Sequence, residues 1–394
     1  MSRSDRPPRP PAGVIAVAAL SARMMAEAAV RDGFDVVALD LFGDADTRRA
    51  ASRWMSLGEP ATLAIDDART LAALGELAQR GDVRGWVAGS GFEGRPRLLA
   101  EAAQLLPLVG TPVSAVCRVR DPALFFGFLA SHGIHHPPVR LGALSRTLPD
   151  DGSHWLTKDA LGSGGWQVSR ATPQRVAEMP AQHYLQQEAP GVPMSATFIG
   201  NGRRAALLGF NEITVRRFGT RPFVFCGVVG PVPLDGRAAA QARAAVDALT
   251  AGFELRGLCS LDFMRDGDEI AVLEVNPRPP ASMALYGDGV MAAHVQACLH
   301  GVLPAPRTGP DPINGTEIVF ARHDGRVDKA LAQRLAAWPG AHDLPCAGTR
   351  VAAGDPLCSL STCSLSASGD DPEAVRDRLH RAREALLDTL ETAP

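Results

Sequence analysis

The sequence predicts a mixed α/β and α+β protein: a doubly wound α/β domain at the N-terminus, a two-lobed central domain, and a small β-rich C-terminal extension. Three observations predict it. Short β-prone runs alternate with helical stretches through roughly the first hundred residues, the pattern of a parallel sheet covered by helices on both faces. The stretch 154–280 is dense in hairpin signals, and a strand-like pattern resumes after a Pro- and Gly-rich segment at 301–312. With 394 residues, 46% of them hydrophobic, the chain can bury a core of that size.

Residues 1–12 are rich in Arg and Pro and carry no apolar period, so they read as a disordered leader. The domain 13–108 follows, with strands expected at 14–20, 35–41 and 85–88 and helices at 23–30 and 70–80. The first apolar run, preceded by arginines, superficially resembles a secretory signal. It is short, however, and opens the α/β pattern, so it reads as the first strand. The turn after it is Ser21, Ala22, Arg23; lacking the glycines of G-x-G-x-x-G, it disfavours dinucleotide binding. The central domain, 109–300, begins with a short strand at 108–109, a Pro-containing link and an apolar helix at 122–132. It also contains an Ala-rich helix at 237–252. Residues 301–312 are a linker, and the extension 313–394 ends in a helix near 372–391.

A net charge of −3 supplies no basic field for nucleic acid or anionic membranes, and no stretch is long enough to span a bilayer. Small molecules are the expected partners. The seven cysteines include no C-x-x-C pair and lie in apolar stretches, which predicts reduced thiols and a cytoplasmic location.

Only two of the forty basic residues are lysines, Lys158 and Lys329. A compact ammonium at 158 suits a phosphate oxygen as a point charge. Trp155, Leu156 and Thr157 lead into it as a strand, and Gly162, Ser163, Gly164 and Gly165 follow. Three glycines in four residues let backbone N–H groups turn toward an anion. Gln167 and Val168 then resume an extended pattern, which separates this loop from the Walker type, where a helix would begin. Farther on, Gln187, Glu188, Ala189 and Pro190 end a short strand that can present backbone groups to an adenine edge.

The strongest signal is the pair of runs 258–263 and 269–275, followed by Asn276, Pro277 and Arg278. Glu274 and Asn276 are two apart on a strand and share a face. With Asp262 they offer oxygen donors suited to Mg²⁺. For Asp262 to share that face, the hairpin needs a bulge or an odd-numbered loop, and a three-residue loop at 267–269 would serve.

In their order and spacing, Lys158, the glycine loop, the 185–191 strand, Asp262 and the run Leu273-Glu274-Val275-Asn276-Pro277-Arg278 resemble the ATP-grasp superfamily of ligases. The resemblance covers about residues 109–300. It implies a pre-ATP-grasp α/β domain at the N-terminus and two lobes clamping ATP. By the same resemblance Lys158 contacts the α/β phosphates, Gly162 to Gly165 close over the phosphates, and Gln187 to Pro190 form the adenine hinge. Asp262, Glu274 and Asn276 hold Mg²⁺, with Mn²⁺ able to stand in, and Arg278 neutralises the transferring phosphoryl group. The implied chemistry is carboxylate attack on the γ-phosphate, then amine attack on the acyl phosphate. Carboxylate and amine substrates that are small and amino-acid-like follow, and a homodimer is compatible. Some resemblance extends to ligases joining glutamate to an amine in methanofuran-type cofactor biosynthesis.

Two positions depart from the family pattern. Pro122 follows Asp121 where many relatives carry a basic residue, with Arg118 and Arg120 nearby, and Val192 to Ser195 lack a ribose-binding acid, leaving Glu188 as the available carboxylate. Asn211, Arg216, Arg217 and Arg221 are the candidates for the substrate side, whereas His132, His135 and His136 read as capping or solvated groups. A bicarbonate-using carboxylase and a non-catalytic ATP-binding subunit are the alternative functions.

Overall fold

The computed structural model describes residues 13–306, 312–363 and 371–391; the expected leader and positions 307–311 of the linker lie outside them. Four parallel strands form the N-terminal sheet, in the spatial order Arg53–Ser56, Asp35–Asp40, Val14–Ala18, Val83–Ala88. Alternation along the first strand explains the two layers around it. Ile15 and Val17 pack with Met25 of helix Arg23–Arg31 and Met291 of helix Val290–His300, while Ala16 and Ala18 face Leu74, Leu77, Leu98 and Leu99. The strand Arg53–Ser56 was not anticipated: it is an edge strand with no buried residue, so it lacks an apolar run. Helix Val113–Arg120 likewise stands where a Pro-containing link was expected, Pro112 having become its N-cap.

Strand order reverses between Val14–Ala18 and Val83–Ala88, so a crevice opens at their carboxyl ends, where α/β sheets place ligands. The loop carrying Glu93 lies there.

The small lobe is an antiparallel sheet ordered Val139–Arg140, His183–Gln187, Trp155–Asp159, Val168–Arg170. Trp155 and Leu185 pack against Val176 and Met179 on one face, which leaves the cross-strand neighbours Lys158 and Tyr184 on the other. The large lobe is an eight-stranded sheet running from Glu269–Asn276 at one edge through Arg256–Asp266, Val192–Asn201, Ala205–Phe218 and Arg221–Val232. Helix Gly236–Phe253 covers one face, burying Ala242, Val246 and Leu249 on Phe198 and Phe263.

The C-terminal strands extend this same sheet: Asn314–Phe320 pairs with Arg221–Val232, and Pro356–Cys363 and Ala341–His342 follow. Helix Pro372–Glu391 packs Val375, Leu379 and Leu386 on them. Helix Lys329–Ala337 interrupts what the sequence presents as a wholly β-rich stretch. The tail also returns to the first domain, where the Asp343 carboxylate accepts hydrogen bonds from Ser21 Oγ (3.1 Å) and from Arg23 Nε and Nη2 (3.1 and 3.0 Å) at the start of helix Arg23–Arg31. Among the described residues, no helix is long and apolar enough to cross a membrane.

Candidate active site

Asp262 and Glu274 face each other directly across the hairpin Arg256–Asp266/Glu269–Asn276. The turn is two residues long, not three: Asp266 pairs with Glu269, and Gly267, at φ +58°, supplies the left-handed conformation such a turn requires. A bulge at Leu273 restores the common face, since Phe263 pairs with Val272 but Asp262 with Glu274. Asn276 Nδ2 donates to Asp262 Oδ2 (3.0 Å) and to Ser260 Oγ (3.2 Å). Burial raises the pKa of Asp262 above the carboxylate range, and the neighbouring Glu274 adds to the effect. The two opposed carboxylates form a hard-donor pair whose repulsion a divalent cation would relieve, while the Asn276 amide oxygen accepts from Arg278 Nη2 at 3.3 Å.

Lys158 faces the Asp262–Glu274 hairpin from the small lobe. Its Nζ donates to Gln186 Oε1 at 3.1 Å. Burial works against this ammonium, but Tyr184, Glu274 and Asp262 outweigh both it and Arg120, raising the pKa above the ordinary lysine value. Of the two arginines near the departing Pro122, Arg118 turns to Glu254 at the surface. Arg120 enters the site: Nη2 donates to the carbonyls of Ala160 (2.8 Å) and Gly162 (2.6 Å), and Nη1 lies 3.8 Å from Glu274. Arg120 Nε and Gln186 Nε2 are buried without a hydrogen-bond partner. Unpaired buried donors are costly, and two of them beside a lysine form a cradle that an anion completes.

The glycine loop lies against the large lobe. A Cβ at Gly165 would stand 1.9 Å from the Phe223 carbonyl oxygen, and φ there is +75°; Phe225 N–H donates to Gly164 O at 3.0 Å. Just beyond, Trp166 leans on Phe218 and on Phe320 of the tail, with ring centroids 6.0 and 6.4 Å apart. Ser163 Oγ donates to Glu93 Oε1 (3.1 Å), to which Arg278 Nε also donates (2.9 Å), and Arg278 Nη2 reaches Ser163 Oγ (3.3 Å). First domain, small lobe and large lobe therefore meet at Glu93, Ser163 and Arg278.

Glu93 was missed in the sequence, although Gly89, Gly91 and Gly94 around it at the end of a parallel strand were a signal. Only 2% of its side chain is exposed. Burial pushes its pKa up, but Arg278 and Arg120 override that and keep it ionised.

At the expected hinge, Gln187 Nε2 donates to Ser153 Oγ (2.8 Å), and the Gln187 and Glu188 N–H groups are taken by Pro138 and His154 carbonyls. Ala189 and Pro190 follow at the strand end. Glu188 forms an ion pair with Arg170 on the adjoining small-lobe strand, so its carboxylate is already committed. The substrate-side candidates are engaged elsewhere: Asn211 bonds Ser195, Thr197 and Tyr286 in the buried interior, Arg216 pairs with Glu317, Arg217 donates to Gly219 O, and Arg221 lies over Trp166. His132 stacks on Phe128 and His135 bonds the Ile270 carbonyl.

Residues 120–282 match the family model of the ATP-grasp domain. Solved structures of similar fold include biotin carboxylase from Campylobacter jejuni (12% identity, 96% of this chain and 95% of that one, TM-score 0.72). An L-amino acid ligase from Bacillus licheniformis (15%, 95% and 98%, 0.70) and N5-carboxyaminoimidazole synthetase from Staphylococcus aureus complexed with ADP (14%, 94% and 97%, 0.68) are also similar. A comparison with curated proteins finds no match.

Proposed function

We propose, from the match of residues 120–282 to the family model of the ATP-grasp domain, that this chain is an ATP- and Mg²⁺-dependent carboxylate–amine ligase that forms an amide through an acyl phosphate. The observation that carries the reading is the donor cradle of Lys158, Arg120 Nε and Gln186 Nε2 opposite the Asp262, Glu274, Asn276 set. Cationic and neutral donors on one wall and hard oxygen ligands on the other are what a metal-bound polyphosphate requires.

Asp262, Glu274 and Asn276 would hold Mg²⁺, which supplies charge neutralisation for the phosphates when bound. To ligate it, Asn276 turns its amide so that the oxygen replaces the nitrogen now facing Asp262. Lys158 and Arg120 bind phosphate oxygens, and the loop from Gly162 to Gly165 excludes water over them. Arg278 stands at the junction of all three parts, placed to neutralise charge on the acid substrate as it takes up the phosphoryl group. Catalysis is then mainly positioning and electrostatics. An amino-acid-like acid, and a role in cofactor biosynthesis, belong to this proposal.

The test is ADP release with Mg²⁺ across a panel of amino acids, each paired with amines. Release that requires both an acid and an amine supports the ligase. Release driven by bicarbonate alone, or nucleotide binding without turnover across the panel, removes it.

A further inference from the structure

A cleft of about 380 Å³ opens between the first domain and the small lobe and reaches Glu93 from solvent. It shares Arg120 with the nucleotide cradle, but its lining includes none of Lys158, Gln186, Asp262, Glu274 or residues 187–190. Its size falls within the roughly 300–1,000 Å³ of small-molecule sites. Pro96, Pro122, Ala123, Leu141 and Leu161 make much of the wall apolar, and Glu93 is the buried carboxylate in it.

We propose that this cleft binds the acceptor of the ligase reaction, a primary amine with an apolar body, whose ammonium group is held by Glu93. The inference rests on the ligase reading of the same site. Three observations carry it. Glu93 is shared by the cleft and by the Ser163–Arg278 junction, so a group bound to it lies beside the place assigned to the activated acid. Its carboxylate accepts from Arg278, Ser163 and the Gly91 N–H, which keeps it ionised and oriented while leaving lone pairs for a cation. The other charges on the wall are Asp121, whose Oδ1 caps its own helix by accepting from the Ala123 and Leu124 N–H groups, and Arg120, which spends Nη2 on the carbonyls of Ala160 and Gly162 and directs Nη1 to Glu274. The cleft thus presents a negative end and an apolar body, which favours an ammonium with a hydrocarbon side chain over an anion such as bicarbonate.

Hydroxylamine separates the two substrates, because it is small and uncharged at neutral pH and traps acyl phosphates as hydroxamates. Hydroxylamine-dependent ADP release is first measured on the full chain with each proteinogenic amino acid as the acid. With an acid that responds, amide formation with alkyl and aryl amines is compared with hydroxamate formation in two variants, Glu93→Gln and Ala123→Trp, the second filling the cleft mouth. The ratio of amide to hydroxamate is expected to fall by about tenfold or more in both, through a raised KM for amine. A ratio equal to wild type in both, or hydroxamate lost in step with amide in Glu93→Gln with no change for Ala123→Trp, overturns the acceptor site and leaves the ligase intact. Absence of hydroxamate in the wild type with every acid removes the ligase and the acceptor site together.

Discussion

Asp262 and Glu274 are half-buried neighbours that repel each other, so under the proposed function their identity as carboxylates serves a ligand more than the fold. Glu274→Gln is expected to lower substrate-stimulated turnover by about a hundredfold or more while the thermal unfolding temperature stays equal or rises. A turnover equal to wild type would remove the metal assignment. Lys158→Met should raise the KM for ATP by about tenfold or more, the loss of one charge-assisted phosphate contact. Titrating nucleotide binding with ADP checks it apart from catalysis.

Sequence alone pointed to these residues because each breaks a local rule: a rare lysine at a strand end, and acids after an apolar run. Arg120 breaks none, and Glu93 is marked only by the glycines around it. Arg120 is one arginine among many, and Glu93 acquires its meaning only when folding brings it to Arg278, at 185 positions' separation. Glu188 shows the opposite limit, since the family resemblance left it as the available ribose acid and only the fold reveals Arg170 as its partner.

Among elements, the glycine loop is the one whose backbone is under the tightest constraint. Gly165→Ala would set a Cβ against the Phe223 carbonyl at a φ that disfavours side chains, a strain of about 1–3 kcal/mol. The loop can escape that strain by lifting away, so the expected result is a turnover loss of about tenfold, with a smaller change in melting temperature. Loss of stability without loss of turnover would show that this contact is not the closed state used in catalysis. The hairpin teaches a related lesson. The requirement that Asp262 and Glu274 share a face was legible from period two, but whether a longer turn or a bulge met it was not, since both satisfy the same count. Helix Gly236–Phe253 was readable from its Ala-rich run, whereas Val113–Arg120 hid behind Pro112, which terminates one reading and caps the other.

At the scale of the whole molecule, the first domain and the tail meet in a cluster of acids around Arg23. Asp343 and Glu27 pair with that guanidinium, Asp46 accepts from the Asp343 and Leu344 N–H groups, and Asp44 lies alongside. Burial, then Asp343, Asp40 and Asp46, push the Asp44 pKa to about 8, against the opposing pull of Arg23. A carboxyl whose pKa is higher folded than unfolded binds its proton more tightly in the folded state. Its contribution is therefore full below its unfolded value, near pH 4, and is lost as pH rises to about 8. Asp44→Asn is expected to flatten the fall in melting temperature between those limits and to make the protein more stable than wild type at pH 8.5. Parallel pH curves for the two proteins would refute it.

The Asp343 carboxylate sits where a dinucleotide fold receives a phosphate, at the start of the first domain's first helix. A carboxylate from the tail therefore occupies that helix start, held by the side chains of Ser21 and Arg23. That end of the domain is tied to the tail, the tail is continuous with the large sheet, and among the described residues the small lobe's strands pair with no other sheet. Mechanically the tail is a strap that joins the first domain to the large sheet.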